Sequence, residues 1–479
     1  MLVIESVPKG LYIDGAWRET PGALPVFDPA TGKPLCQVAD AAPADGLDAL
    51  AAATAAQAGW ARTPARTRSE ILLRAQQLLL ADAERLGTIM TLEMGKPLAE
   101  ARGEVAYAAE FLRWFAEAAV RLDGGYLPAP TGGSRFLVTR QPVGVSLLIT
   151  PWNFPMAMGA RKIGPALAAG CTCVVKPAEQ TPLSMLALAA VLHEAGVPPG
   201  VVNVVTTADP GALMTPLILD RRSRKLSFTG STAVGKQLLE LCARTVMRTS
   251  MELGGNAPFL VFEDADLDAA VDGAIAAKLR NTGQACTAAN RILVQRGVAD
   301  EFARRLTERM AALPMGPGTE PGVVLGPLID ADAVAKVSEL VADARRRGAA
   351  VRLGGEPLAG PGNFYPATVL TDVPDDAALC HTEIFGPVAP LAVFDTEDEA
   401  VARANDTPYG LVAYVYTENL RRGLRVCEAL ETGMVGLNQG VVSNPAAPFG
   451  GVKESGLGRE GGFIGIDEFL ETKYIGVAL

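Results

Sequence analysis

The chain has 479 residues, 49% of them hydrophobic and 20% charged, which is enough for two or three packed units around a large apolar interior. A net charge of −10 and a pI near 5.0 argue against a nucleic-acid surface, and the one basic run, Asp220 to Lys225, is too short to supply one. With two histidines, and seven scattered cysteines that form no CxxC pair, a metal site has almost no ligands to draw on, so no metal is expected and free thiols in a reducing cytoplasm are.

In chain order, the first ten residues lack the basic-then-apolar order of a secretory signal. Pro, Arg or Lys interrupts every candidate for an apolar span of about 18 residues, so no membrane partner is expected. From Ala44 to Val120 the Ala- and Leu-rich spacing predicts several packed helices, ended by "DGGYLP", and "SRFLVTRQPVGV" reads as extended strands with a turn. From Val145 short apolar runs alternate with helical segments ("VSLLIT", "CTCVVKP", "VVNVVT", "KLSFTG"). This is the pattern of a doubly wound parallel sheet buried on both faces. Such sheets bind ligands beyond the carboxyl ends of their strands, which here carry "TPWNFP", "KPAEQTP" and "FTGSTAVG". A second alternating region, roughly Glu252 to Asn438, predicts another α/β unit, followed by the glycine-rich "PFGGVKESGLGREGG" and a final segment with a possible strand.

Several stretches carry chemistry, each beside a plainer reading. "GSTAVGKQ" spells GxxxxGK, but Gln237 stands where a P-loop needs a Ser or Thr hydroxyl for magnesium; what remains is a strand-to-helix turn whose N–H groups suit a pyrophosphate, or a tight turn without a ligand. Lys176 and Glu179 follow an apolar strand, where a carboxylate can accept from ribose hydroxyls and repel a 2′-phosphate; taken alone, a surface pair in a loop is the better reading. Asn153 sits in a rigid aromatic–proline turn and could donate to an oxyanion, or simply pack. Glu252 precedes Gly254 and Gly255 and could act as a general base, or be solvated. Cys286 lies among the small or polar residues Gly283, Gln284, Ala285 and Thr287, a setting for an approachable thiol more than for a core one. Two histidines leave no plausible Cys–His pair, so a carboxylate, with Glu252 acting through water, is the candidate for activating it.

Taken in order, "PWNFP", "KPAEQTP", "FTGSTAVG", "MELGGN", "GQAC", "EIFGPV", "PFGG" and "KESGLGREGG" resemble the aldehyde dehydrogenase superfamily over nearly the whole chain. The resemblance implies a Rossmann-like NAD(P)-binding domain from residues 1–124 and 143–252, and a catalytic α/β domain over 253–446. It also implies a small β oligomerisation element from 125–142 and 460–479, in a homodimer or homotetramer. By the same resemblance Cys286 is the nucleophile, Asn153 the oxyanion donor and Glu252 the base for thioester hydrolysis. The dinucleotide would lie against Thr150, Pro151, Trp152, Asn153, Lys176, Pro177, Ala178, Glu179, Gly230, Ser231, Val234, Leu253, Glu383 and Phe385. Glu179 favours NAD, with NADP possible, and departs from the smaller residue of NADP-preferring bacterial members. Arg161, Arg280 and Ser443 fall where succinate-semialdehyde dehydrogenases hold the distal carboxylate of their small-molecule substrate, and a guanidinium pair suits a carboxylate. Oxidation of succinate semialdehyde to succinate is therefore the expected activity, with another ω-oxo acid such as glutarate semialdehyde, or a broader aldehyde range, as the alternative. Two further positions depart from the pattern: Ala288 stands where many members carry a second Cys, and Thr207 where many carry Gly.

Overall fold

The computed structural model of the protein describes residues 2–479 and contains two large sheets, a three-stranded sheet and two two-stranded ribbons. Strands Val145–Ile149 and Cys173–Lys176 are buried at every residue, as continuous apolar runs demand when helices cover both faces. They lie at the centre of an eight-stranded sheet whose five parallel members run Val202–Val204, Cys173–Lys176, Val145–Ile149, Ser223–Thr229 and Arg248–Glu252. The chain starts in the middle of this row, winds to one side, then returns and winds to the other. The reversal falls between Val145–Ile149 and Ser223–Thr229, whose paired registers end at Ile149 and Phe228. A crevice for a ligand opens at that point in a doubly wound sheet.

Three short additions to this sheet escape the sequence pattern, one of them Ala16–Arg18, which pairs antiparallel to Leu11–Ile13. Leu11–Ile13 pairs antiparallel to Val202–Val204, and Gly456–Leu457 pairs antiparallel to Arg248–Glu252, returning the glycine-rich tail to the first sheet. Segments of two or three residues have no period to read. The second sheet has seven strands in the order Ala350–Leu353, Thr368–Thr371, Val388–Phe394, Ala289–Gln295, Ala257–Val261, Val412–Tyr416, Met434–Leu437, parallel except at its first pair. The turn 253–256 joins the two sheets, so Glu252 ends a strand of the first.

The third sheet pairs Leu470–Ala478 with Ser134–Pro142 along nine residues, and Gly125–Pro128 closes its other edge. It begins only at Leu470. Within residues 460–469, Glu460, Ile466 and Phe469 are buried, the last two in the core formed by the helices, while Phe463 and Ile464 are exposed. In that core helix Pro155–Ala169 is buried at every residue and packs on helix Leu98–Ala119. Its Arg161 and Lys162 are thus buried charges that require partners.

Candidate active site

The crevice leads into a cavity of about 270 Å³ between the two large sheets. Of the residues singled out from sequence, Pro151, Trp152, Asn153, Arg161, Gly230, Ser231, Leu253, Arg280, Cys286, Glu383, Phe385 and Ser443 line it. Glu252 is buried behind this wall, while Thr150, Lys176, Pro177, Ala178, Glu179 and Val234 lie outside it at the strand ends and the helix start of the first sheet. Tyr107, Phe154 and Phe449 also line the cavity, and sequence reasoning missed them because an aromatic residue in an apolar stretch carries no mark of the void it faces.

Cys286 is presented by an unusual backbone. Helix Leu267–Leu279 ends, and Asn281, Thr282 and Gly283 then take φ of 53°, 55° and 79° in succession. Left-handed backbone at a non-glycine residue costs about 1–2 kcal/mol, so the turn must be held from outside. Thr282 Oγ1 receives the N–H of Gly326 at 3.0 Å, and Gln284 Oε1 receives that of Ile329 at 2.8 Å. The Asn281 amide donates to the carbonyls of Asn153 and Gln284, both at 3.0 Å. Behind the thiol, the glycine turn comes so near that a Cβ at Gly255 would sit 2.4 Å from the Cys286 carbonyl oxygen. Glycine is required there for close approach.

Asn153 is 6% exposed and fixed at both ends. Its carbonyl accepts from Lys96 Nζ at 2.6 Å, and its Nδ2 donates to the Gln284 carbonyl at 3.1 Å, which leaves the second Nδ2 hydrogen free. Burial, then Glu383 and Glu252, push the Cys286 thiol up to about 12, while Arg161 and Arg280 oppose them. Without cofactor the group is therefore a thiol at neutral pH. Alkylation of Cys286 by iodoacetamide in the cofactor-free protein is expected to rise about tenfold per pH unit from 7 to 10, because thiolate is scarce until pH nears the raised pKa. A plateau below pH 9 would show that the thiol is not raised.

Glu252 is buried, and its Oε2 has no hydrogen-bond partner. Burial first, and Glu460 second, raise its pKa well above the carboxylate range against the pull of Arg161, Lys162 and Arg459. Glu460 is a further residue the sequence reading missed; "GREGG" shows a glutamate but not its partners. It lies 2.6 Å from Lys162 Nζ and 3.2 Å from Arg161 Nε, the latter in ion-pair contact without hydrogen-bond geometry. Arg161 consequently keeps Nε and Nη2 unsatisfied, with its guanidinium 3.8 Å from the Phe449 ring centre. Arg280 reaches Ser443 Oγ at 3.4 Å and stacks 4.7 Å from the Phe154 ring centre. The three residues picked out for a carboxylate thus meet on one cavity with Cys286.

On the other side, Ser231 accepts from the Val234 N–H at 3.4 Å and caps helix Thr232–Ala243 beside the switch point. Thr150 and Thr229 end the two strands that flank it, and their buried Oγ1 atoms are both unpartnered. Beyond the neighbouring strand Lys176 Nζ meets Glu179 Oε2 at 3.3 Å. Glu383 accepts from the Gly255 N–H at 3.1 Å, and burial raises its carboxyl to about 7 despite that bond and nearby Lys336 and Lys278. Phe385, at φ 59°, places its ring edge-on to Trp152 at 5.3 Å. A capped helix start at a switch point, with unsatisfied hydroxyls and a carboxylate one strand away, fits a dinucleotide.

The aldehyde dehydrogenase family profile matches residues 17–475. The chain belongs to the aldehyde dehydrogenase family. A succinate-semialdehyde dehydrogenase of Paenarthrobacter nicotinovorans is 57% identical over 93% of this chain and 99% of its own length. A glutarate-semialdehyde dehydrogenase of Pseudomonas putida strain KT2440 is 50% identical over 98% of this chain and 97% of its own. A crystal structure of an Escherichia coli NADP-dependent enzyme superposes with a TM-score of 0.98 at 50% identity, covering 99% of this chain and 98% of that one. The protein is therefore an NAD(P)-dependent oxidoreductase with the aldehyde dehydrogenase fold. In this aldehyde dehydrogenase the P-loop reading of "GSTAVGKQ" has no support, since Lys236 is more than half exposed and pairs with Glu454 at 2.9 Å. Among the described residues no group of three His, Cys, Asp or Glu could hold a metal ion, and no helix is long and apolar enough to cross a membrane.

Proposed function

We propose that this aldehyde dehydrogenase oxidises succinate semialdehyde to succinate, with NAD as the preferred acceptor. One observation carries the reading: the unsatisfied Nε and Nη2 of Arg161, the Arg280 guanidinium and Ser443 converge on the cavity that holds Cys286. A buried guanidinium with free donors calls for an anion, and a carboxylate matches its planar fork. Held there by its far end, a short ω-oxo acid brings its aldehyde to the thiol.

Cys286 gives its proton through water to the solvent, and Sγ attacks the aldehyde carbon as the thiolate. The free Nδ2 hydrogen of Asn153 and the Cys286 N–H receive the oxyanion. A nicotinamide dinucleotide, when bound, would supply the hydride acceptor that conversion of the tetrahedral adduct to a thioester requires. Glu252, its carboxyl raised by burial and by Glu460, then draws a proton from water, whose oxygen attacks the thioester and releases the acid and the thiol. Thr150, Pro151 and Trp152 would hold the cofactor on one strand end, with Lys176, Pro177, Ala178 and Glu179 on the next. Gly230, Ser231 and Val234 would hold its pyrophosphate at the helix start, and Leu253, Glu383 and Phe385 the nicotinamide side. Glu179 accepts from ribose hydroxyls and repels a 2′-phosphate, which supports NAD over NADP. The strand Leu470–Ala478, with Tyr474 and Ile475 exposed, supports a homo-oligomer assembled through the third sheet.

Steady-state assays with succinate semialdehyde, glutarate semialdehyde and butanal, each with NAD and NADP, test the reading. Equal kcat/KM for butanal and succinate semialdehyde would remove the substrate claim, and a higher kcat/KM with NADP would remove the cofactor preference. Glutarate semialdehyde is the rival because one methylene is worth only about 1–3 kcal/mol of discrimination. Arg280→Met is expected to cut kcat/KM for succinate semialdehyde about 10²-fold, the loss of a charge-assisted pair, and to change that for butanal less than about threefold.

A further inference from the structure

Cys286 and Arg280 are separated by five residues, and the left-handed turn lies between them. Its first residue, Asn281, follows the end of helix Leu267–Leu279, where Arg280 is extended at φ −52°, ψ 129°, so the helix offers the Asn281 N–H no acceptor. The acceptor comes from elsewhere in the fold. Glu100, in the first turn of helix Leu98–Ala119, takes that N–H on Oε2 at 2.7 Å. Just before the helix, Lys96 donates to the Asn153 carbonyl, the same atom that receives the Asn281 amide. One helix turn farther on, Glu104 accepts the N–H groups of Met156 and Ala157, at 3.0 and 3.1 Å, at the start of the helix that carries Arg161. A single short stretch therefore touches the supports of the nucleophile, of the oxyanion donor and of both arginines.

Within it, Glu100 stands out by where it is tied. It lines the cavity adjoining Arg280 and Ser443 and lies within electrostatic reach of Arg280. Arg280 reaches Ser443 but forms no ion pair with a carboxylate among the described residues, and the Glu100 carboxylate is held on the Asn281 backbone. We propose that Glu100 is a positioning residue that sets Cys286 and Arg280 together: its hydrogen bond to the Asn281 N–H fixes the left-handed turn and keeps its own carboxylate off the guanidinium that receives the substrate. Sequence alone could not single it out, because a glutamate in a first helical turn has a sufficient reason in the helix dipole.

This rests on the assignment of Cys286 and Arg280 made above. The test compares Glu100→Gln, which keeps an acceptor at full reach, with Glu100→Asp, which keeps the charge but retracts it, and Glu100→Ala. For each, kcat and KM are measured with succinate semialdehyde and with butanal, and NAD binding is followed by tryptophan fluorescence. Glu100→Ala and Glu100→Asp are expected to lose about tenfold or more in kcat with both aldehydes, since a small displacement of the nucleophile is enough for that. Both are also expected to narrow the preference for the charged aldehyde by about tenfold, with NAD affinity unchanged. Glu100→Gln should restore kcat to within about threefold of the unaltered enzyme. Wild-type kcat and preference in Glu100→Ala, or a Glu100→Gln as impaired as Glu100→Asp, would overturn the proposal. If Glu100→Ala fails to fold, the Gln and Asp pair still decides. Should the unaltered enzyme show no preference for the charged aldehyde, the substrate reading fails, while the effect on kcat with butanal still tests the role of Glu100.

Discussion

Replacing Cys286 by serine is expected to lower aldehyde oxidation about 10⁴-fold or more while leaving NAD affinity within about threefold of its original value. The size follows from the chemistry of the site. A serine hydroxyl is far less acidic than even a raised thiol, and the cavity contains no histidine to take its proton. The selectivity follows from the geometry. The switch-point crevice, the Ser231-capped helix and the Lys176–Glu179 pair are built by the first sheet, and none depends on the Cys286 side chain. Residual activity within about tenfold of the unaltered enzyme would mean that another group attacks the aldehyde.

Glu252→Gln separates the two halves of the reaction. The amide occupies nearly the same space but cannot take a proton from water, so release of the acid should slow about 10²- to 10⁴-fold, the usual contribution of a placed base. Hydride transfer from the covalent adduct needs no base. The expected trace is a burst of reduced cofactor near one equivalent per site, followed by slow turnover. The pH dependence has a definite sign. Burial and Glu460 raise the Glu252 carboxyl, so below the raised pKa it carries the proton it must lose to act, and acid release should accelerate as pH climbs through that value. In Glu252→Gln that acceleration should vanish. Loss of the burst along with steady turnover would instead show that Glu252 is needed before the hydride leaves.

The sequence marks some layers of this site plainly and is silent on others. The parallel strands announce themselves as unbroken apolar runs, because both faces are covered, and the sheet order then places "TPWNFP" and "FTGSTAVG" on either side of the switch point. Arg161, Arg280 and Ser443 lie 282 positions apart at most, and only the fold shows them on one cavity. Glu460 stands within a glycine-rich tail, yet its contact with Arg161 and Lys162 depends on the two-residue strand Gly456–Leu457 turning the tail back onto the first sheet. The positive φ of Asn281 and Thr282 was not legible either. Asparagine tolerates left-handed backbone and threonine does not favour it, so the conformation reflects the clamps from Glu100, Asn153 and Gly326 more than local preference.

The most direct measurement is of the covalent intermediate. Glu252→Gln would be mixed with succinate semialdehyde and NAD, quenched in acid during the burst, digested, and its peptides weighed by mass spectrometry. One succinyl group is expected on the peptide containing Cys286, in amount equal to the reduced cofactor formed. A full burst with that peptide unmodified would contradict covalent catalysis through Cys286.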